Sequence, residues 1–355
     1  MNIRDQRQRE FADLFIEKGE GILLLSPRFG KTRVAIHIFK QKKLKKILIA
    51  YPDNKIKESW QSEMKEVGYK NDKITYTTHL SLNKYETEKY DLVVIDEIHL
   101  LSEKQIRNVQ ELMKNNKILG LTGTLSSYTQ RDLKMMLGLD VLAHYPMSKA
   151  IDEGVVCDYE IIIKTIPLDN TVVNQYKTQA RTEKQQFDAY GKVIEKMEKE
   201  RKDPFFLRLA RMRIIQNSLA KTKLTTDLLK QYKDDRVLVF CGVTAIADQL
   251  GCPVYHSKKG EKDTFEKFSA GEGKHLAVVK IGNTGVTYKP LDRVIINYFD
   301  SNAENLAQKI NRCMAMEYGK DKVAKIYIIS SDEEVEKRWL MKALEFFDKE
   351  KIRYV

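Results

Sequence analysis

A chain of 355 residues has room for two domains of ordinary size, and 42% hydrophobic with 32% charged residues excludes the disordered and low-complexity classes. Its 62 Lys and Arg against 50 Asp and Glu leave +12, a surplus that suits a polyanionic partner and is shared by both halves: residues 1–155 hold 26 basic against 21 acidic side chains. No apolar run approaches the roughly 18 residues of a membrane span, the four cysteines form no CxxC pair, and no apolar signal core follows the first residues, so a reducing, cytoplasmic setting is expected.

Short apolar runs alternate with helical patterns through the first 150 residues. Strands are predicted at Gly21–Leu25, Ile47–Tyr51, Ile74–Thr78, Leu92–Ile95 and Lys117–Leu121. The intervals between them are long enough for right-handed helical crossovers, which predicts an α/β lobe with a doubly wound parallel sheet over residues 1–150. Val155 to Ile163 reads as one strand opening a second lobe, residues 151–355. A charged, helix-favouring segment follows over about 171–233, interrupted only by Gly191 and Pro204. Strands then recur near Val237–Phe240, Val254–Tyr255, Leu276–Lys280, Val294–Asn297 and Ile326–Ile329, with a helix over Asn302–Cys313. The last apolar-periodic stretch, Asp332–Lys349, reads as a packed terminal helix. The Lys40–Lys46 cluster reads as a solvated helix end, and Phe205–Arg213 as an amphipathic helix with its arginines in water.

The sharpest local signal is Ser26-Pro27-Arg28-Phe29-Gly30-Lys31-Thr32, set between an apolar strand and an amphipathic helix. In such a loop, backbone N–H groups and the helix dipole meet phosphates, Lys31 neutralises their charge, and the Thr32 hydroxyl can ligate Mg²⁺. A full GxxxxGK[ST] would put glycine at position 25, where this chain has Leu25. The strand Leu92–Ile95 ends in Asp96-Glu97-Ile98-His99, so Asp96 can hold the metal shell beside Thr32 while Glu97 orients and deprotonates an attacking water. Leu121-Thr122-Gly123-Thr124 follows the next strand, placing the hydroxyls of Thr122 and Thr124 within reach of His99. The histidines show no HExxH spacing and no GxSxG elbow occurs, so zinc catalysis and triad hydrolysis lack support.

SPRFGKT, DEIH and LTGT, in this order on these strands, resemble motifs I, II and III of the superfamily 2 helicases and translocases, DExH branch, including small bacteriophage-like DNA helicases with two RecA-like lobes. The resemblance extends over nearly the whole chain. Arg4 with Gln6 or Gln8 is similar to the adenine-reading glutamine region. Ile49–Pro52 resembles motif Ia, and Thr77-Thr78-His79-Leu80-Ser81-Leu82 the segment after it, which face nucleic acid in that family. In the second lobe, Arg236–Cys241 resembles motif IV, Tyr255-His256-Ser257 the segment following it, and Asn283-Thr284-Gly285-Val286-Thr287 motif V. Gln308-Lys309-Ile310-Asn311-Arg312 resembles motif VI, with Asn311 for the usual glycine and Ala315 for the final arginine; Thr287 replaces a frequent aspartate.

The resemblance implies ATP and Mg²⁺ as cofactors, in a cleft between the lobes. Lys31, Asp96, Glu97 and His99 would act from the first lobe and Gln308 and Arg312 from the second, the arginine stabilising charge during phosphoryl transfer. Gln6 or Gln8, Arg28, Phe29, Gly30, Thr32 and Gly285 would bind the nucleotide. Thr122 and Thr124 would couple the sites, and Pro52, Thr77, Thr78, His256 and Thr284 would meet a nucleic-acid backbone. The expected protein is a monomeric ATP-dependent motor on DNA by preference, with RNA left open and no membrane partner. Two rivals stay open: a double-stranded DNA translocase that separates no strands, and a nucleic-acid binder whose ATP site is weakened, as Ala315 suggests.

Overall fold

A computed structural model describes residues 2–171, 173–176, 179–258, 262–279, 288–312, 314 and 322–355. The chain divides into two compact units, the first running to Cys157 and the second beginning at Asp158.

The first unit runs α1 (Ile3–Lys18), β1 (Gly21–Leu25), α2 (Lys31–Gln41), β2 (Ile47–Tyr51), α3 (Lys55–Glu66), β3 (Ile74–Thr78), β4 (Leu92–Asp96), α4 (Glu103–Met113), β5 (Ile118–Thr122), α5 (Ser127–Leu137), β6 (Val141–Tyr145) and α6 (Met147–Asp152). Its strands form one parallel sheet in the order β3-β2-β4-β5-β1-β6. Alternation along each strand sends side chains to opposite faces. Leu23, Leu25, Ile47, Ile49, Val94 and Leu121 join one core with α1, α2 and α3. Ile22, Leu48, Val93, Ile95 and Ile118 join another with α4 and α5. Both faces of β1, β2, β4 and β5 being covered, these four strands read as largely apolar runs, which is why they were legible.

The second unit holds β7 (Asp158–Ile166), β8 (Val173–Tyr176), β9 (Gln179–Thr182), α7 (Glu183–Lys199), α8 (Phe205–Gln216), α9 (Leu219–Gln231), β10 (Val237–Cys241), α10 (Thr244–Gln249), β11 (Val254–Tyr255), α11 (Lys262–Ala270), β12 (His275–Val279), β13 (Arg293–Ile296), α12 (Ala303–Asn311), β14 (Val323–Ser331), α13 (Glu334–Leu344) and β15 (Ile352–Tyr354). Its parallel sheet has the order β11-β12-β10-β13-β14-β7-β15. The fold is thus α/β with two parallel-sheet lobes.

Four local expectations need correction. The strand expected from Val155 starts at Asp158, because Val155 and Val156 are buried in the first unit's core. The segment expected to be helical from 171 opens instead with the antiparallel hairpin β8–β9, and α7 starts only at Glu183, after Thr182, whose hydroxyl and Gln185 form a capping box. β6 was missed because Val141-Leu142-Ala143-His144-Tyr145 pairs on one side only, with β1, and most of its side chains are half-exposed. The last helix stops at Leu344, and the chain returns as β15 beside β7.

Candidate functional site

Parallel register brings the carboxyl ends of β1, β4 and β5 to one edge of the first sheet. Leu24 lies opposite Thr122, and Asp96 opposite Leu121. Loops leaving these ends are where α/β sheets hold ligands.

After β1 the chain turns through Arg28 at φ 66° and Gly30 at φ 95° before entering α2. The left-handed conformations therefore fall on these two residues. Leu25 remains an ordinary strand residue buried in the core, so the loop's first glycine is not needed to make the turn. No side chain caps α2, and its first turn carries no acidic residue, so its N–H groups and dipole are left to an anion.

Gln8, 1% exposed, donates from Nε2 to the Phe29 carbonyl at 2.8 Å. A Cβ on Gly30 would lie 2.5 Å from that nitrogen, so glycine is needed there for space as well as for φ. Gln6 instead donates to Glu10 on the exposed side of α1, and Arg4 donates to the Val155 carbonyl. Of the two glutamines, the structure brings Gln8 to the loop. Phe29 is fully buried against Phe11 and Tyr145, so only its main chain faces the loop's concavity.

Lys31 Nζ lies 3.4 Å from Glu97 Oε1. A Cβ on Gly123 would come within 3.1 Å of the same ammonium, so the glycine after Thr122 leaves room for the lysine. Asp96 is buried; its Oδ2 accepts from Trp60 Nε1 at 2.9 Å and its Oδ1 from the Glu97 N–H at 3.0 Å. Burial and the neighbouring Glu97 push the Asp96 carboxyl up to about 6, while Lys31 opposes the shift. Since an unfolded aspartate titrates near ~3.9, this group favours the folded state most below that pH and loses the contribution as pH rises through about 6.

Glu97 sits at φ 51° and passes within 3.5 Å of His99 Nδ1. His99 Nδ1 lies 2.7 Å from Thr122 Oγ1, which is itself 2.6 Å from the Thr124 carbonyl. A hydroxyl has one proton; given to the carbonyl, it makes His99 Nδ1 the donor. Thr122 and His99 are therefore joined, whereas Thr124 takes part through its main chain. His79 also reaches this cluster: Nε2, 2.9 Å from the Asp96 carbonyl, must carry the proton, and burial pushes the imidazole down to about 4, so it is neutral at pH 7.

Among the described residues no group of three or more His, Cys, Asp or Glu could hold a metal. The donors present, the Thr32 hydroxyl and the Asp96 carboxylate, are hard oxygens. They suit Mg²⁺, which is commonly held by one or two protein oxygens together with substrate phosphates. Proton and cation compete for Asp96, so Mg²⁺ binding to the nucleotide-loaded protein is expected to weaken by about tenfold from pH 7 to pH 5. Mg²⁺ titrations at the two pH values check this; a pH-independent affinity would remove Asp96 from the metal's shell.

Other expected contacts are less accessible. Pro52 and Thr78 are partly exposed at the ends of β2 and β3, but the Thr77 side chain is buried. His256 is buried in the second unit, its Nδ1 accepting from Lys258 N–H at 3.2 Å and its Nε2 3.4 Å from Asp248, so its ring does not face solvent. On α12, Leu306, Ala307 and Ile310 fill the core, leaving Gln308 and Arg312, four residues apart, partly exposed on one face. Thr284, Gly285 and Ala315 lie outside the described residues. The lysine cluster borders a cavity of ≈ 510 Å³ with Lys70 and Lys73 at the amino ends of β2 and β3, opposite the edge that carries the loop. Phe205 and Phe206 are exposed rather than packed.

Two groups escaped the sequence reading: Trp60 and His79, as donors to Asp96. Trp60 could have been placed in the core by its spacing with Ile56 and Met64, but nothing in the sequence pairs it with Asp96.

A P-loop, an acidic strand end and a lysine between them define a nucleotide-binding α/β enzyme. Residues 71–127 match the family described as type III restriction enzyme, res subunit, and residues 220–316 match the helicase conserved C-terminal domain. A DNA 3'-5' translocase XPB2 of Sulfurisphaera tokodaii is 21% identical, aligned over 88% of this chain and 79% of its own length. Among solved structures, the ATP-dependent Type ISP restriction-modification enzyme LlaBIII bound to DNA superposes with a TM-score of 0.63 at 12% identity, over 100% of this chain but only 31% of that enzyme. S. cerevisiae Dbp5 bound to RNA and ADP BeF3 gives 0.59 at 10% identity, over 95% of this chain and 85% of the other. Over residues 71–127 and 220–316 the chain is similar to superfamily 2 helicases and translocases, and with the translocase relative the matches support an ATP-hydrolysing enzyme that acts on nucleic acid. Among the described residues, no helix is long and apolar enough to cross a membrane.

Proposed function

We propose that this protein is a DNA motor of the DExH branch that uses ATP hydrolysis to move along a phosphate backbone. The observation that carries this reading is the placement of Lys31 Nζ 3.4 Å from Glu97, beside buried Asp96, at the mouth of an uncapped helix. α2's amino end, Gly30 and Lys31 would bind the phosphates, with Gln8 bracing the loop from beneath. Thr32 and Asp96 would hold Mg²⁺, which supplies neutralisation of phosphate charge. Glu97, turned by its left-handed backbone, would take the proton of the attacking water. Gln308 and Arg312, partly exposed on one face of α12, would act on the γ-phosphate, Arg312 without the second arginine that the family carries where this chain has Ala315. Residues 1–150 and 151–355 would serve as the two RecA-like lobes of a monomeric enzyme.

Pro52, with main-chain groups at Thr77, Thr78, His256 and Thr284, would meet the phosphate backbone, predicting low sequence specificity and steep salt dependence. DNA is favoured over RNA because the curated relative is named for DNA translocation and LlaBIII is bound to DNA. That same relative is named a translocase, which favours as the second reading a double-stranded DNA translocase that separates no strands. A triplex-displacement assay beside a fork-unwinding assay tests both: the first reading expects forks to open, and the second expects triplex strands to be released while forks stay closed. Failure of both would contradict a DNA motor.

A further inference from the structure

Three hydrogen bonds from three elements converge on Asp96. Its Oδ2 takes the Trp60 indole N–H at 2.9 Å, its Oδ1 the Glu97 N–H at 3.0 Å, and its carbonyl the His79 Nε2–H at 2.9 Å. Trp60 and His79 are 1% and 2% exposed, so neither bond competes with water. Neither donor belongs to the phosphate loop. Trp60 lies in the middle of α3, the helix entered just after β2 and Pro52; His79 directly follows Thr78 at the end of β3. These are the two strand ends that the proposed function turns toward nucleic acid.

The geometry makes Asp96 sensitive to both. A carboxylate rotates broadly about its last torsion, so an isolated Asp96 would present no fixed lone pair. An indole N–H can only donate, and its direction is that of a rigid ring. The Trp60 ring is stacked on Phe39 with centroids 6.4 Å apart, and α3 is clamped to α2 by Arg33, which bonds both Glu63 and Glu66. Moving α3 therefore moves the donor that sets the carboxylate's orientation. Moving the residues after β3 shifts the hydrogen bond that holds the Asp96 main chain.

We propose that Trp60 and His79 are positioning residues that carry the arrangement of the nucleic-acid-facing ends of β2 and β3 to Asp96, so that strand binding aligns the metal-side carboxylate. The proposal rests on the motor reading above. It assigns neither residue a contact with nucleotide or nucleic acid. Outer partners of metal-binding groups typically alter metal affinity or activity by 10–100-fold when removed, which is the scale expected here.

Trp60 and Trp339 are the chain's two tryptophans, so indole ¹⁵N labelling gives two side-chain signals, and W60F assigns them. The wild-type Trp60 signal is expected to move on adding Mg²⁺ and ADP, and again on adding an oligothymidine strand, while Trp339 stays fixed. W60F should need about 10-fold more Mg²⁺ for half-maximal ATP turnover and lose most of the strand's stimulation, with strand affinity retained. H79L should behave likewise, and H79Q, which keeps an N–H donor, should recover most of the effect. A Trp60 signal indifferent to the strand, with W60F matching wild type in Mg²⁺ requirement and stimulation, would overturn the coupling. A wild-type ATPase unmoved by any strand would instead remove the motor reading, and this inference with it.

Discussion

Glu97→Gln is expected to lower ATP turnover by about 10²–10⁴-fold while leaving nucleotide affinity near that of the wild type, because the amide keeps the size of the side chain but cannot accept a proton. The magnitude follows from what general-base catalysis contributes. Glu97 alone of the two strand-end carboxylates can supply it: Asp96 is buried, with both oxygens engaged by Trp60 and the Glu97 N–H, while Glu97 is partly exposed beside Lys31. Lys31→Ala should separate the roles, losing affinity as well as turnover, since the ammonium neutralises phosphate charge in the bound state too. Pre-steady-state turnover with equilibrium nucleotide binding checks both variants. A Glu97→Gln enzyme within a few-fold of wild type would move the base elsewhere.

The second large effect concerns stability. Lys221 of α9 and Glu336 of α13 form an ion pair in which each side chain is 1% exposed, and the other Glu336 oxygen accepts the Ser331 N–H at 2.6 Å. Burial pushes the Lys221 ammonium down, and Glu336 pulls it back up. Removing one partner strands a charge away from water, so Glu336→Gln or Lys221→Met should each destabilise the second unit by about 3–5 kcal/mol. The double variant should recover part of that loss, because glutamine can still accept from Ser331 and the pair's own two charges are both gone, while buried Glu183, which also faces Lys221, keeps its hydrogen bonds from Ser218 and the Leu219 N–H. Denaturant unfolding followed by Trp339, on the same helix as Glu336, reads this unit separately. Single and double variants that lose stability additively would show that the pair is not coupled.

That ion pair also marks where sequence reasoning stops. The Asp332–Lys349 periodicity showed a packing helix, and Leu340, Ala343 and Leu344 are indeed buried. A glutamate in the same helix gives no sign that it will be buried, because its partner is more than a hundred residues away. Strands covered on both faces were legible from their composition, with Gly21–Leu25 and Ile47–Tyr51 agreeing residue for residue. Half-exposed β6 and the hairpin β8–β9 lack that pattern and were not found. The loop, the strand-end carboxylates and Thr122 were legible because each follows an apolar run whose end fixes where it lies. Gln8 could be separated from Gln6 only once α1 had an inward face. Trp60 and His79 were invisible as partners of Asp96, since helical spacing shows that a side chain is inside but not what it touches.

Nucleotide turnover in this chain is expected to answer to nucleic acid. The direct measurement is ATP hydrolysis at low salt with no polynucleotide, with single-stranded DNA, with duplex DNA and with RNA, for the wild type and Lys31→Ala. Basal turnover should be slow, and DNA should raise it severalfold or more, with none of that rise in Lys31→Ala. Turnover equal in all four conditions, or a stimulated rate that survives the loss of Lys31, would contradict it.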